Sequence, residues 1–75
     1  MPGLTQADLD AIFTYHTPTG DQPQQYAMLR ERAKALGELF LLLVPASAEQ
    51  TLAIRHLQEA VMFANAGIAI HSPPP

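Results

Sequence analysis

Read for its hydrophobic and polar positions, the chain divides into three helical segments joined by two turns. A short first helix is predicted over about residues 6–13, with Leu4, Leu9, Ile12 and Phe13 as apolar anchors. Thr5 stands where an N-cap belongs, and Asp8 lies three residues on, near the positive end of that helix. The next stretch, TYHTPTGDQ from Thr14 to Gln22, carries Pro18, Gly20 and several threonines and reads as a loop. A second helix follows over about residues 22–44, with Asp21 as its expected N-cap and Pro23 tolerated in the first turn. Its apolar residues Tyr26, Leu29, Ala33, Leu36, Phe40 and Leu43 are spaced 3, 4, 3, 4 and 3 apart, the period of a stripe laid against another helix.

Pro45 stops the second helix, and Ser47 with Gln50 forms a capping-box pattern that starts a third over about residues 48–70. Its expected inner stripe is Ala53, Leu57, Ala60, Ala64 and Ile68. A turn of about three residues makes the two long helices antiparallel neighbours. Residues 71–75, with Ser72 and three closing prolines, read as a frayed tail, and residues 1–4 as a loose lead. The expectation is one all-α domain over residues 1–75, a short N-terminal helix plus a long antiparallel two-helix hairpin.

The pattern also says that one copy is not enough. Leu39 to Val44 is apolar in every direction around a helix, and a helix apolar all round is buried all round. Val61, Met62 and Phe63 point to three sides of the third helix, and Ile70 lies off its inner stripe. Ala60, Ala64, Ala66, Gly67 and Ala69 are small enough for close helix contact. The chain is expected to form a homo-oligomer, the alternative being an interface with a different partner chain.

Composition sharpens this. Of 75 residues, 48% are hydrophobic and only 15% charged, against a usual quarter. A chain of this length barely supports a core, and without cysteine it has no disulfide or thiolate metal site to reinforce it. The formal net charge of −3 disfavours bulk DNA or RNA binding. Three of the four cations, Arg30, Arg32 and Lys34, are nonetheless clustered, so a small anion has a place to bind. The longest apolar run, Leu39 to Val44, is far short of the ~20 residues of a membrane span. No basic segment followed by an apolar stretch opens the chain, so a cytosolic protein is expected.

No catalytic motif is present: no thiol nucleophile, no glycine-rich phosphate loop, no metalloprotease helix. His16, His56 and His71 lack metal-ligand spacing, and His56 and His71 read as surface or helix-end residues. Asp8 and Asp10, two apart on a helix, do not face each other. An enzyme, a metal or a cofactor is not expected. The informative region is the first loop with the start of the second helix. Tyr15 and His16 offer flat rings beside a proline-glycine loop that leads into a helix N-terminus, whose free N–H groups favour anions. Tyr26, Arg30 and Lys34, four apart in turn, share one helix face. Rings beside cations suit a nucleotide, since rings stack on bases while Arg and Lys meet phosphates. The plainer alternative puts Tyr26 in the core stripe and Arg30 and Lys34 on a solvated face with Glu31 and Glu38. Arg55 and Glu59 read as an ordinary i,i+4 pair. Asn65, in an apolar face, either hydrogen-bonds across a subunit interface or faces water.

The runs FTYHTPTGDQPQQYAMLRERAKALGELF, a Pro-Ser turn, and AIRHLQEAVMFANAGIAI together resemble the small phage proteins called anti-CBASS protein 2, over roughly Ile12–Ile70. The specific parts are FTYH–P–GDQP–YxxLR and AIRxLxEAVMxANAxIA. The resemblance implies helical hexamers that act as sponges in the host bacterial cytoplasm. They hold cyclic nucleotides made by bacterial defence synthases and so silence CBASS antiviral signalling. It implies pockets between protomers for cyclic dinucleotides such as cyclic GMP-AMP, and in some members separate sites for cyclic trinucleotides. By motif position Tyr15 would stack on a base and Arg30 or Lys34 would meet the phosphates, with His16, Thr17 and Gln22 lining the pocket. Arg55 and His71 are the candidates for a second site. The competing reading, from another class, is a small helical assembly or adaptor module with no small-molecule ligand.

Overall fold

A computed structural model describes residues 3–72, so the first two residues of the expected lead and the last three of the expected tail lie outside the described residues. The chain forms three helices, α1 (Gln6–Phe13), α2 (Gln22–Leu43) and α3 (Ala48–His71), and no strand occurs among the described residues. Helix α3 packs along α2 and, at its C-terminal end, receives α1.

Local chemistry explains the boundaries. At α1, the Thr5 side chain accepts from the Asp8 N–H (3.2 Å) while the Asp8 carboxylate accepts from the Thr5 N–H (2.8 Å), a reciprocal capping box. These bonds hold the Asp8 carboxyl below its usual value, the Thr5 backbone N–H first and its hydroxyl second. At α3, the Ser47 hydroxyl accepts from the Gln50 N–H (3.1 Å), but the Gln50 side chain donates to the Val44 carbonyl (2.8 Å) instead of returning to Ser47. Only half of the expected box forms. The spare amide closes the end of α2, where carbonyls have no helical donor.

Helix α2 ends one residue earlier than expected, with Val44 extended beyond it and its N–H donating to the Phe40 carbonyl (2.9 Å). Helix α3 runs one residue further, so His71 is helical and not part of a frayed tail. Asp21 does not cap α2 with its side chain. Its backbone is already right-handed helical (φ −85°, ψ 0°), a geometry that differs from the extended one at Thr5 and Ser47.

The seam between the long helices drifts from the expected stripe. The half-buried residues that follow the seam are Tyr26, Leu29, Ala33, Gly37 and Phe40 of α2 with Val44 just past its end, so Gly37 replaces Leu36 and Val44 replaces Leu43, while Gln22 and Ala27 are half-buried beside that line. On α3, Val61 takes the place of Ala60, which is exposed. Alternating steps of 3 and 4 describe a 3.5-residue repeat, whereas a straight helix turns every 3.6, and over six turns the contact line slides by one position.

No described residue is fully buried. Phe13 (82% exposed), Leu42 (78%) and Phe63 (75%) stand almost free of their own chain. The accessible surface is 6181 Å², where a compact monomer of this mass would show about 4500 Å². The radius of gyration is 15.6 Å, against about 11 Å for a compact chain of this length. The hairpin is an open slab, 43 × 31 × 17 Å, with a seam but no interior. None of its helices is long and apolar enough to cross a membrane.

Candidate functional site

The α1–α2 loop is tied down at both ends. At its start the Thr14 hydroxyl donates to the Asp10 carbonyl, and the His16 ring donates through Nε2–H to the Ala11 carbonyl at 2.8 Å. Both acceptors lie in the last turn of α1, where carbonyls lack helical partners. A carbonyl only accepts, so the His16 Nε2 carries the proton. At the far end Gln22 makes three bonds. Its N–H donates to the Thr19 carbonyl (3.0 Å), its Oε1 accepts from the Thr19 N–H (3.0 Å), and its Nε2–H donates to the Ile68 carbonyl of α3 (3.3 Å). Between these ties Gly20 takes a left-handed conformation (φ 55°), which favours glycine.

Between these fixed points the Tyr15 ring is 83% exposed, and Thr17 is exposed as well. His16 and Gln22, expected to line a ligand pocket, are half-buried and bonded to backbone groups of their own chain. The start of α2 offers an anion less than its sequence promised. The Gln22 N–H is taken by Thr19, Pro23 has none, and the Gln25 N–H donates to the Asp21 carbonyl (3.0 Å).

Arg30 and Lys34 are exposed on α2 and form, with Glu38 and Gln58, the polar rim of a groove of about 450 Å³ between α2 and α3. Its floor is apolar, made by Ala33, Gly37, Leu41, Ile54, Leu57, Val61 and Met62. Hydropathy patterning gives little weight to Gly37, one of the residues that line this groove. Tyr26 is half-buried along the helix seam, in keeping with the core-stripe alternative for that residue. Among the described residues the ion pair formed is His56 Nδ1 with Glu59 Oε1, at 3.5 Å. Among the described residues neither Glu31 nor Glu38 comes within ion-pair distance of Arg30 or Lys34.

Among the described residues, the groove that Arg30 and Lys34 line does not include Tyr15. Arg30 lies eight residues into α2, roughly 12 Å along the axis from the loop's anchor at Gln22. The candidates for a second site are also apart. Arg55 donates to Gln58 Oε1 (3.3 Å) and does not pair with Glu59, which is taken by His56. His71 lines a separate hollow of about 290 Å³ with Gly3, Leu4, Asp8, Ala11, Ile12 and Ile70. Asn65 does not face water through its carbonyl. Its Oδ1 is shielded from solvent and accepts no hydrogen bond among the described residues.

A family model described as the Acb2/Tad1 hairpin domain matches residues 5–69. No curated protein and no solved structure matches the chain.

Proposed function

The chain belongs to the Acb2/Tad1 hairpin-domain family, and from that premise we propose that it is a phage-encoded sponge for cyclic oligonucleotide messengers. It binds cyclic dinucleotides such as cyclic GMP-AMP, with cyclic trinucleotides as a second class, and holds them without cleavage. Sequestration in the host bacterial cytoplasm keeps the CBASS effector silent. The working form is a homo-oligomer, a hexamer by family resemblance.

The observation that carries this reading is the Tyr15 ring, exposed at 83% on a loop bonded at both ends. Phe13 and Phe63 are about as exposed, and what sets Tyr15 apart is the bonded loop that carries it. Stacking on a base gives an exposed ring of this kind a use, worth about 1–3 kcal/mol per base. Arg30 and Lys34, which pair with no carboxylate among the described residues, supply charge for the phosphates. Tyr15 lies outside the groove of Arg30 and Lys34, and in this reading a second subunit brings ring and cations together. Two-fold symmetry then gives each half of a two-base, two-phosphate ring one tyrosine and one cation. Thr17 lies on the same exposed loop.

The ligand-free assembly module is the second reading, supported by the unburied apolar surface alone. Calorimetric titration with a panel of cyclic di- and trinucleotides separates the two, with chromatography of the recovered nucleotide to test for cleavage. Saturable heat and an intact nucleotide are expected. No heat with any member would remove the sponge reading, and a linearised product would make the protein an enzyme.

A further inference from the structure

We infer that His16 and Gln22 are positioning residues that clamp the Tyr15 loop in its binding shape before any ligand arrives. This rests on the sponge reading for its purpose, though not for its geometry. The His16 Nε2–H is committed to the Ala11 carbonyl, at 2.8 Å. The Gln22 side-chain amide is committed at both of its atoms, to the Thr19 N–H at 3.0 Å and to the Ile68 carbonyl at 3.3 Å. The single Nε2–H of His16 is used up by its bond, while each polar atom of the Gln22 amide is held in place by a loop tie and keeps one further hydrogen-bonding position.

The two ties fasten different things. His16 fixes the residue next to Tyr15 to the end of α1. Gln22 fixes the loop's exit to the end of α3, 46 residues away in sequence. The segment bearing the exposed ring is thus tied to the C-terminal turns of α1 and α3. A loop ordered in advance does not have to be ordered on binding, a cost that otherwise subtracts from affinity. A sequestering protein gains most from such a device, because it competes for a messenger at low concentration and performs no later step.

The test uses the full chain with 3′,3′-cyclic GMP-AMP as probe, and follows backbone hydrogen exchange over residues 14–22 without ligand. His16→Phe keeps a flat ring but loses the donor. It is expected to speed exchange in the loop while leaving α2 and α3 unchanged, and to weaken binding roughly three- to tenfold, the equivalent of one ordinary hydrogen bond. His16→Gln places an amide donor near the Nε2 position and is expected to restore both. Gln22→Leu should loosen the loop exit in the same way. Unaltered exchange in His16→Phe and Gln22→Leu would overturn the clamp. So would a His16→Gln protein with slow loop exchange and the full loss of affinity, since His16 would then touch the ligand itself. If the wild-type chain binds no cyclic nucleotide, the sponge reading fails, and the exchange data alone decide whether the clamp exists.

Discussion

Gly37 of α2 faces Leu57 of α3, and a Cβ placed on the glycine would sit 3.8 Å from Leu57 Cδ2, an ordinary contact distance. The close approach of the helices therefore does not require a glycine. Gly37→Ala should stabilise α2 by about 0.5–1 kcal/mol, from the lower backbone entropy of alanine in a helix interior. Chemical denaturation at fixed protein concentration measures it, and a loss of stability would show that another chain needs that space.

The capping box gives α1 a defined acid sensitivity. The Asp8 carboxyl is held below its usual value, so the stabilisation it gives α1 is complete above the ordinary aspartate range and is lost as pH falls through the lowered value. Acid titration followed by hydrogen exchange at α1 should show that helix loosening below the aspartate range. Asp8→Ala should loosen it already at neutral pH and remove the dependence. An α1 equally protected across the titration would mean that its contacts with α3 hold it without the box.

Tyr15→Ala is expected to weaken cyclic dinucleotide binding by ~1–3 kcal/mol, the range for loss of one base stack. The unfolding midpoint should hardly move, because the ring touches little of its own chain. Calorimetry and thermal denaturation on the same sample check both halves. Unchanged affinity would place the ligand elsewhere, and a large drop in the midpoint would make Tyr15 a packing residue at a subunit contact.

Leu42→Asp and Phe63→Asp each put a charge on a site that one chain leaves exposed. Within a single subunit each should cost no more than about 1–1.5 kcal/mol, from helix propensity and, at Leu42, from a negative charge in the last turn of α2. In an assembly that covers these sites, each should lower the sedimenting mass towards the 8.2 kDa of one chain. Sedimentation velocity at micromolar protein decides it. Wild-type sedimentation as a single subunit would end the shared-pocket picture.

Much of this fold was legible in the residue pattern. Thr5 with Asp8, Pro45 with Ser47, and the 3–4 spacing of the long helices placed three helices and an antiparallel turn to within a residue at the ends. The seam was less legible, since hydropathy gives Gly37 no weight and a 3.5-residue repeat slides on a straight helix. Side-chain choices between close alternatives were not legible either. Arg55 had Gln58 and Glu59 within reach, and Gln50 had Ser47 and Val44, and spacing alone cannot rank such partners. For the candidate site, the motif run pointed to the loop and to the α2 cations. That Tyr15 lies outside the groove of Arg30 and Lys34 follows from the folding of the whole chain.

A subunit with a seam and no interior has little packing of its own, so in the proposed homo-oligomer folding and association become one equilibrium. Its melting point should then rise with dilution series run in reverse, from nanomolar to micromolar stock. Such a chain would gain its rigidity by mass action, as newly made copies accumulate.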